Sequence, residues 1–154
     1  LLGFAGLSLL AWLASASVVA ANIGGWYATL VPPELVPQGA ALARLWGMLA
    51  AIHVALALAA WLVWRRPLAA RAQRSAMNFW GWLLALGAAW PATFFGLHLL
   101  LPALILAAGL VACAGLTVWR FRGLDRAASA LLLPYLAFTI SAFYLNTGFW
   151  WLNH

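Results

Sequence analysis

Five apolar runs follow one another along the chain, at about residues 2–21, 40–64, 76–96, 99–119 and 128–150, and most charged residues fall between them. Each run is close to the ~20 residues that a helix needs to cross a hydrocarbon core of about 30 Å. The runs are continuous. They lack the alternation over segments of about ten residues that marks the strands of a membrane barrel. The pattern therefore predicts an all-α integral membrane protein, a bundle of five transmembrane helices. The run at 2–21 is long, has no basic start and leads straight into further spans, so it is expected to be a span and not a cleaved leader. No repeat, linker tract or soluble stretch interrupts the pattern, and residues 1–154 are expected to form a single membrane domain.

Charge adds a direction. The chain is 68% hydrophobic and 6% charged, too little polar surface for a soluble domain of this length. All eight basic residues are arginine. Arg65, Arg66, Arg71 and Arg74 lie between spans two and three, and Arg120, Arg122 and Arg126 between spans four and five. The stretches at about 22–39 and 97–98 carry no Lys or Arg. The positive-inside rule then predicts an N-terminus inside and a C-terminus outside. A nucleic-acid partner is not expected, because the arginines flank spans and form no basic domain.

Few side chains here can do chemistry. Glu34 and Asp125 are the only carboxylates and are expected on opposite sides of the membrane, so they cannot act as an acid–base pair. His53, His98 and His154 are far apart in sequence and topology, so no protein-built metal site is expected. The single cysteine, Cys113, has no partner for an intrachain disulfide and reads as a small packing residue. Hydrolase and metalloenzyme classes fall away.

Aromatic residues are plentiful: eleven Trp, eight Phe and three Tyr. Trp64, Trp119, Trp150 and Trp151 lie near span ends and suit an interfacial belt. Trp12, Trp46 and Trp90 fall inside spans, where an indole N–H needs a partner. They either pack helices together or line a cavity for a flat apolar ligand. In the predicted topology, Trp46, Trp90, Phe94 and Asn146 converge on the outer half of the bundle. The segment "GGWYATLVPPELVPQGA" starts and ends at that face, is too apolar for a solvated linker, and reads as a lid over about residues 22–39. His53 follows Trp46 by seven residues, so it lies about 20° away around the same helix and roughly 10 Å deeper. Pro91 and Pro134 each remove a backbone donor inside a span, a defect tolerated where neighbours or a cavity accommodate it. Gly81, Ala85 and Ala89 place small residues on one face of span three, which serves either intrachain packing or a helix–helix interface between two copies.

Three segments resemble one family. "AWPATFFG" is similar to a third-helix motif W-P-x-x-F-F-G, with Trp90, Pro91, Phe94, Phe95 and Gly96 in register. "LLPYLAF" followed by "LN" resembles P-Y-x-x-W…L-N through Pro134, Tyr135, Leu136, Leu145 and Asn146. The loop matches W-Y-x-x-L-x-K-P-x-W-x-P-P, with a following Trp, at Trp26, Tyr27, Leu30, Pro33, Pro37 and Trp46. These motifs belong to the tryptophan-rich sensory protein/translocator protein family (TspO/MBR, the peripheral benzodiazepine receptor family). The resemblance covers about residues 26–146. Departures are Pro32 for the family's Lys, Leu35 for its loop Trp, Gln38 for its second Pro, Gly87 for its helix-three Asn and Phe138 for its helix-five Trp. The C-terminal sterol motif of animal members is not matched. All-arginine usage fits a GC-rich bacterial genome, so a bacterial cell membrane is expected.

The resemblance implies a five-helix bundle, commonly a homodimer, that binds protoporphyrin IX, haem and related ligands. The dimer would form through Gly81, Ala85 and Ala89. On this reading the ligand site comprises Trp26, Tyr27, Leu30, Pro33, Trp46, His53, Gly87, Trp90, Phe94, Phe138, Ala142 and Asn146. No obligatory cofactor is implied, and His53 is the one candidate ligand for a haem iron. Arg44 is the only basic residue near the outer end and a candidate partner for a porphyrin carboxylate. Three functions compete: a receptor or sensor for porphyrin-type ligands, a transporter of tetrapyrroles or other lipophilic molecules, and a photo-oxidative porphyrin-degrading enzyme. The enzyme reading is the weakest, because Phe138 replaces a Trp and phenyl is harder to oxidise than indole.

Overall fold

The computed structural model describes residues 1–34, 36 and 40–154, with the side chains of residues 40–43 outside the description. Leu35, Pro37 and Gln38, which entered the loop comparison, lie outside the described residues. The chain forms α1 (Leu2–Asn22), α2 (Ala40–Trp64), α3 (Ala70–Pro91), α4 (Leu100–Arg122) and α5 (Arg126–Asn153), with no strand among the described residues. A 3-10 turn at Trp26–Thr29 and a π-helical turn at Ala92–Gly96 complete it.

The predicted spans and the helices agree closely except at span three. There the helix begins at Ala70, six residues earlier, and its α-helical part ends at Pro91. The early start carries Arg71, Gln73 and Arg74, and Asn78 follows just inside the predicted span. These lower the hydropathy of α3, so the four helices that qualify as membrane spans by length and composition are α1, α2, α4 and α5. Those four are apolar nearly all round, as helices facing both lipid and protein must be. Leu2, Leu10, Ile105 and Trp119 are exposed on their outer faces.

The helices close into a ring in the order α1, α2, α5, α4, α3, with α1 packing back on α3. The tightest seam is α4 on α5. Ala103, Ala107 and Ala114 are fully buried on α4. Such small residues let backbones approach without a hydrophobic force from solvent, which lipid does not supply. Across the ring, α3 meets α2 only thinly. Large side chains span that interior, among them Leu56, Val63, Trp80, Leu83, Leu132 and Tyr135. Trp80 Nε1 donates to the Leu56 carbonyl at 3.1 Å, which satisfies its indole and ties α3 to α2.

The two ends differ. At one end Asp125 caps α5 by accepting from the Ala128 N–H at 3.0 Å. It also accepts from Arg66 Nε and Nη2 at 2.8 and 2.6 Å. That is the one ion pair among the described residues. The Ala128 N–H first, then the Arg66 guanidinium, hold the Asp125 carboxyl below the usual carboxylate range. All arginines except Arg44 gather at this end, because α2 and α4 finish here and α3 and α5 start here. The opposite end is aromatic.

Candidate functional site

The aromatic end is organised by the segment that follows Trp90. Pro91 has no N–H to continue the helical ladder. The chain widens into a π turn, in which Leu97 N–H donates to the Ala92 carbonyl five residues back at 2.9 Å. Such turns add one residue to a helix and re-aim its side chains. Here the consecutive Phe94 and Phe95 are both buried. Their rings meet edge to face at 4.7 Å between centroids. Trp90 stacks on Phe94 at 6.0 Å, and Phe149 of α5 meets Phe94 at 5.6 Å.

The loop after α1 closes over this group. Tyr27, in the 3-10 turn, lies 5.2 Å from Phe95 and 5.3 Å from Phe149. Burial pushes its hydroxyl pKa up, so the ring stays neutral. Trp26 stacks on His98 at 4.5 Å with an interplanar angle of 24°. His98 adopts φ 60°, the left-handed region, at the sharp bend into α4. Leu30 packs on the same cluster. Farther along, the Asn153 side chain brackets Val31, accepting from its N–H at 2.8 Å and donating to its carbonyl at 3.0 Å. Pro33 presses on Gly148 so closely that a β-carbon there would stand 2.7 Å from Pro33 Cβ. The loop is thus fastened to the end of α5 at two points.

Among the described residues, Trp90 Nε1 and both side-chain polar atoms of Asn146 are buried with no hydrogen-bond partner. Asn146 is 2% exposed and stands one helical turn before Phe149. A buried polar group left unsatisfied costs about 1–3 kcal/mol, so two such side chains near one aromatic cluster are informative. Ser8 Oγ and Trp12 Nε1 on α1 are in the same condition.

A second tier lies toward the middle of the bundle. His53 Nδ1 is 2.8 Å from the Leu49 carbonyl, which can only accept. Nδ1 therefore carries the proton, and in the neutral ring Nε2 keeps its lone pair. The Tyr135 ring stands edge-on to His53 at 6.2 Å. Its hydroxyl donates to the Leu83 carbonyl at 3.4 Å, a long bond, and lies directly over Gly87. Phe138 follows at 6.4 Å from Tyr135.

The residues expected from the sequence thus fall into two tiers. Trp26, Tyr27, Leu30, Trp90 and Phe94 meet in the upper cluster. Trp46 packs against both the upper cluster and the central core and links them. His53, Gly87 and Phe138 gather around Tyr135 below. Ala142 and Asn146 are buried on α5 between the tiers. Pro33 sits at the rim against Gly148, and Arg44 is exposed. Sequence reasoning missed Phe149 and did not count Tyr135 or Phe95 toward the site. Phe149 was reachable from Asn146, since three residues on a helix share a face. Among the described residues no three His, Cys, Asp or Glu side chains come together as a metal site.

Comparison with known proteins gives one family. The model of the TspO/MBR family matches residues 4–152. The chain is 33% identical over 130 residues to a translocator protein from Ovis aries, an overlap covering 81% of this chain and 73% of the relative. It is 30% identical over 148 residues to a translocator protein from Sus scrofa, covering 93% and 83%.

Proposed function

The chain belongs to the TspO/MBR family, and from that premise we propose that it is a membrane receptor that binds porphyrin-type ligands at its aromatic end. Family membership supports a membrane sensor or transporter role, and the two-tier site supports the ligand class. The observation that carries the reading is the set of buried atoms with no partner among the described residues: Trp90 Nε1, whose ring stacks on Phe94, and the Asn146 amide, one helical turn before Phe149. A flat ligand with nitrogen and oxygen functions gives these atoms partners while its faces replace ring–ring contacts. The rings now touch one another, so entry requires Trp90 or Trp46 to swing aside and the Trp26–Leu30 loop to lift. Arg44, exposed near this end, meets the peripheral carboxylates of protoporphyrin IX or haem. The arginine-rich end faces the cytoplasm under the positive-inside rule, which puts the loop and the site on the outer side.

The test is a titration of the purified protein in detergent with protoporphyrin IX and haem, read by tryptophan quenching. Trp46→Ala should weaken binding by about 1–3 kcal/mol, the scale of a lost aromatic contact in a desolvated site. A folded variant with unchanged affinity removes Trp46 from the site. Failure of both ligands to quench the native protein removes the porphyrin reading. Flux of the ligand into sealed vesicles separates transport from sensing.

A further inference from the structure

The arginine-rich end holds a second feature that the aromatic site does not use. A cleft of about 450 Å³ is lined by Arg71, Arg74, Ser75, Asn78, Phe79 and Trp82, all on the first four turns of α3. Arg120 of α4 donates to Ser75 Oγ at 3.2 Å and so brings a third guanidinium to its edge. Beyond Arg120 a second cleft of about 550 Å³ includes Trp119, Arg122 and Arg126 in its walls.

Among the described residues no carboxylate answers the charge at this cleft. The chain has two carboxylates. Asp125 is engaged by Arg66, and Glu34 is in the loop at the opposite end. Helix α3 begins with Ala69 as its N-cap, with no side-chain cap bond and no acidic residue in its first turn. Its free N–H groups and the positive end of its dipole favour an anion there, yet the sequence supplies two cations instead. Arg71 and Arg74 are three residues apart, so they share a helix face. The cleft below them is apolar: Phe79 is half-buried and Trp82 is 61% exposed.

We propose that this cleft binds the phosphodiester headgroup of an anionic glycerophospholipid. Arg71 and Arg74 hold the phosphate, Asn78 meets the glycerol oxygens, and Phe79 and Trp82 carry the roots of the acyl chains. The apolar floor is what favours a lipid over a soluble anion. Guanidinium pairs suit phosphate oxygens bidentately, and basic residues at the end of a membrane helix attract anionic headgroups. The proposal is independent of the porphyrin reading, because it rests on the other end of the bundle.

The experiment uses the full chain in nanodiscs of phosphatidylcholine with a minority of phosphatidylglycerol. Bound lipid is counted by native mass spectrometry after release. Phosphatidylglycerol should be retained in preference to phosphatidylcholine. Arg71→Gln with Arg74→Gln should reduce that retention by at least about tenfold, since each surface arginine contributes roughly a factor of five. Arg71→Gln alone is compared with Arg65→Gln, which removes the same charge at the same end but outside both clefts. A loss at Arg71 and none at Arg65 supports the site. Equal losses at both mean a diffuse surface charge and overturn it. Equal retention of both lipids overturns it also. Displacement of the lipid by millimolar inorganic phosphate makes the ligand a soluble anion and overturns the lipid assignment. Both arginines are exposed, so the substitutions leave the core intact.

Discussion

The hydroxyl of Tyr135 lies over the α-carbon of Gly87, and a β-carbon at residue 87 would stand 2.7 Å from it. The Tyr135 Cζ would be 4.0 Å away, an ordinary contact. In this chain residue 87 has no side chain, and the tyrosine hydroxyl occupies the space one would need. Gly87→Ala should therefore destabilise the protein by about 1–2 kcal/mol in thermal unfolding, although alanine favours a helix by about 1 kcal/mol. In a Tyr135→Phe background the same change should be neutral or stabilising. A penalty of equal size in both backgrounds would show that the hydroxyl is not what excludes the side chain.

His53 presents Nε2 as its unprotonated nitrogen, because Nδ1 is committed to the Leu49 carbonyl. If the lower tier receives a haem, His53→Ala should shift the Soret band of the bound haem and weaken haem more than metal-free protoporphyrin. Equal losses for the two ligands, or none, assign His53 to packing against Tyr135.

Asp125 gives a pH dependence whose direction follows from its surroundings. Its carboxyl titrates below the usual range in the folded protein, by virtue of the Ala128 N–H and Arg66. Its contribution to stability is present in full above the unfolded-state value of about 4, and is lost as pH falls through the lower folded-state value. Thermal unfolding in detergent should show the native protein losing stability below pH about 4 more steeply than Asp125→Asn. At neutral pH the Asn variant should be less stable by about 1–3 kcal/mol, the scale of a weakened cap and a lost charged partner. Parallel pH profiles for the two proteins would assign the acid sensitivity elsewhere.

Gly81 has open space where a side chain would begin, and Ala85 is exposed. At these two positions α3 points away from its own bundle. If two copies of the chain pair through this face, Gly81→Leu with Ala85→Leu should give monomers in a mild-detergent sizing run in which the native protein runs as a dimer. A dimer that survives both changes forms through another face.

Much of the bundle was legible because lipid imposes a length and a composition on every helix that faces it. The start of α3 was not, since Arg71, Gln73 and Arg74 read as loop when judged by hydropathy, and only backbone pairing shows that the helix runs through them. The upper cluster was legible at Trp26, Tyr27, Trp90 and Phe94, whose types and spacing are unusual for a plain span. Gly87 with Tyr135, Val31 with Asn153 and Arg66 with Asp125 were hidden. Each pair is decided by how two distant segments are placed, and nothing local marks the partner.

The π turn after Pro91 makes the number of residues in this segment as consequential as their identity. Substituting a residue between Ala92 and Gly96 alters one side chain. Deleting one collapses the wide turn to an ordinary α turn and rotates everything beyond it by about 100° relative to α3. Phe94 and Phe95 could not then both face inward, and α4 would leave its seam with α5. Among relatives of this chain, the segment should accept exchanges of residue far more readily than gaps.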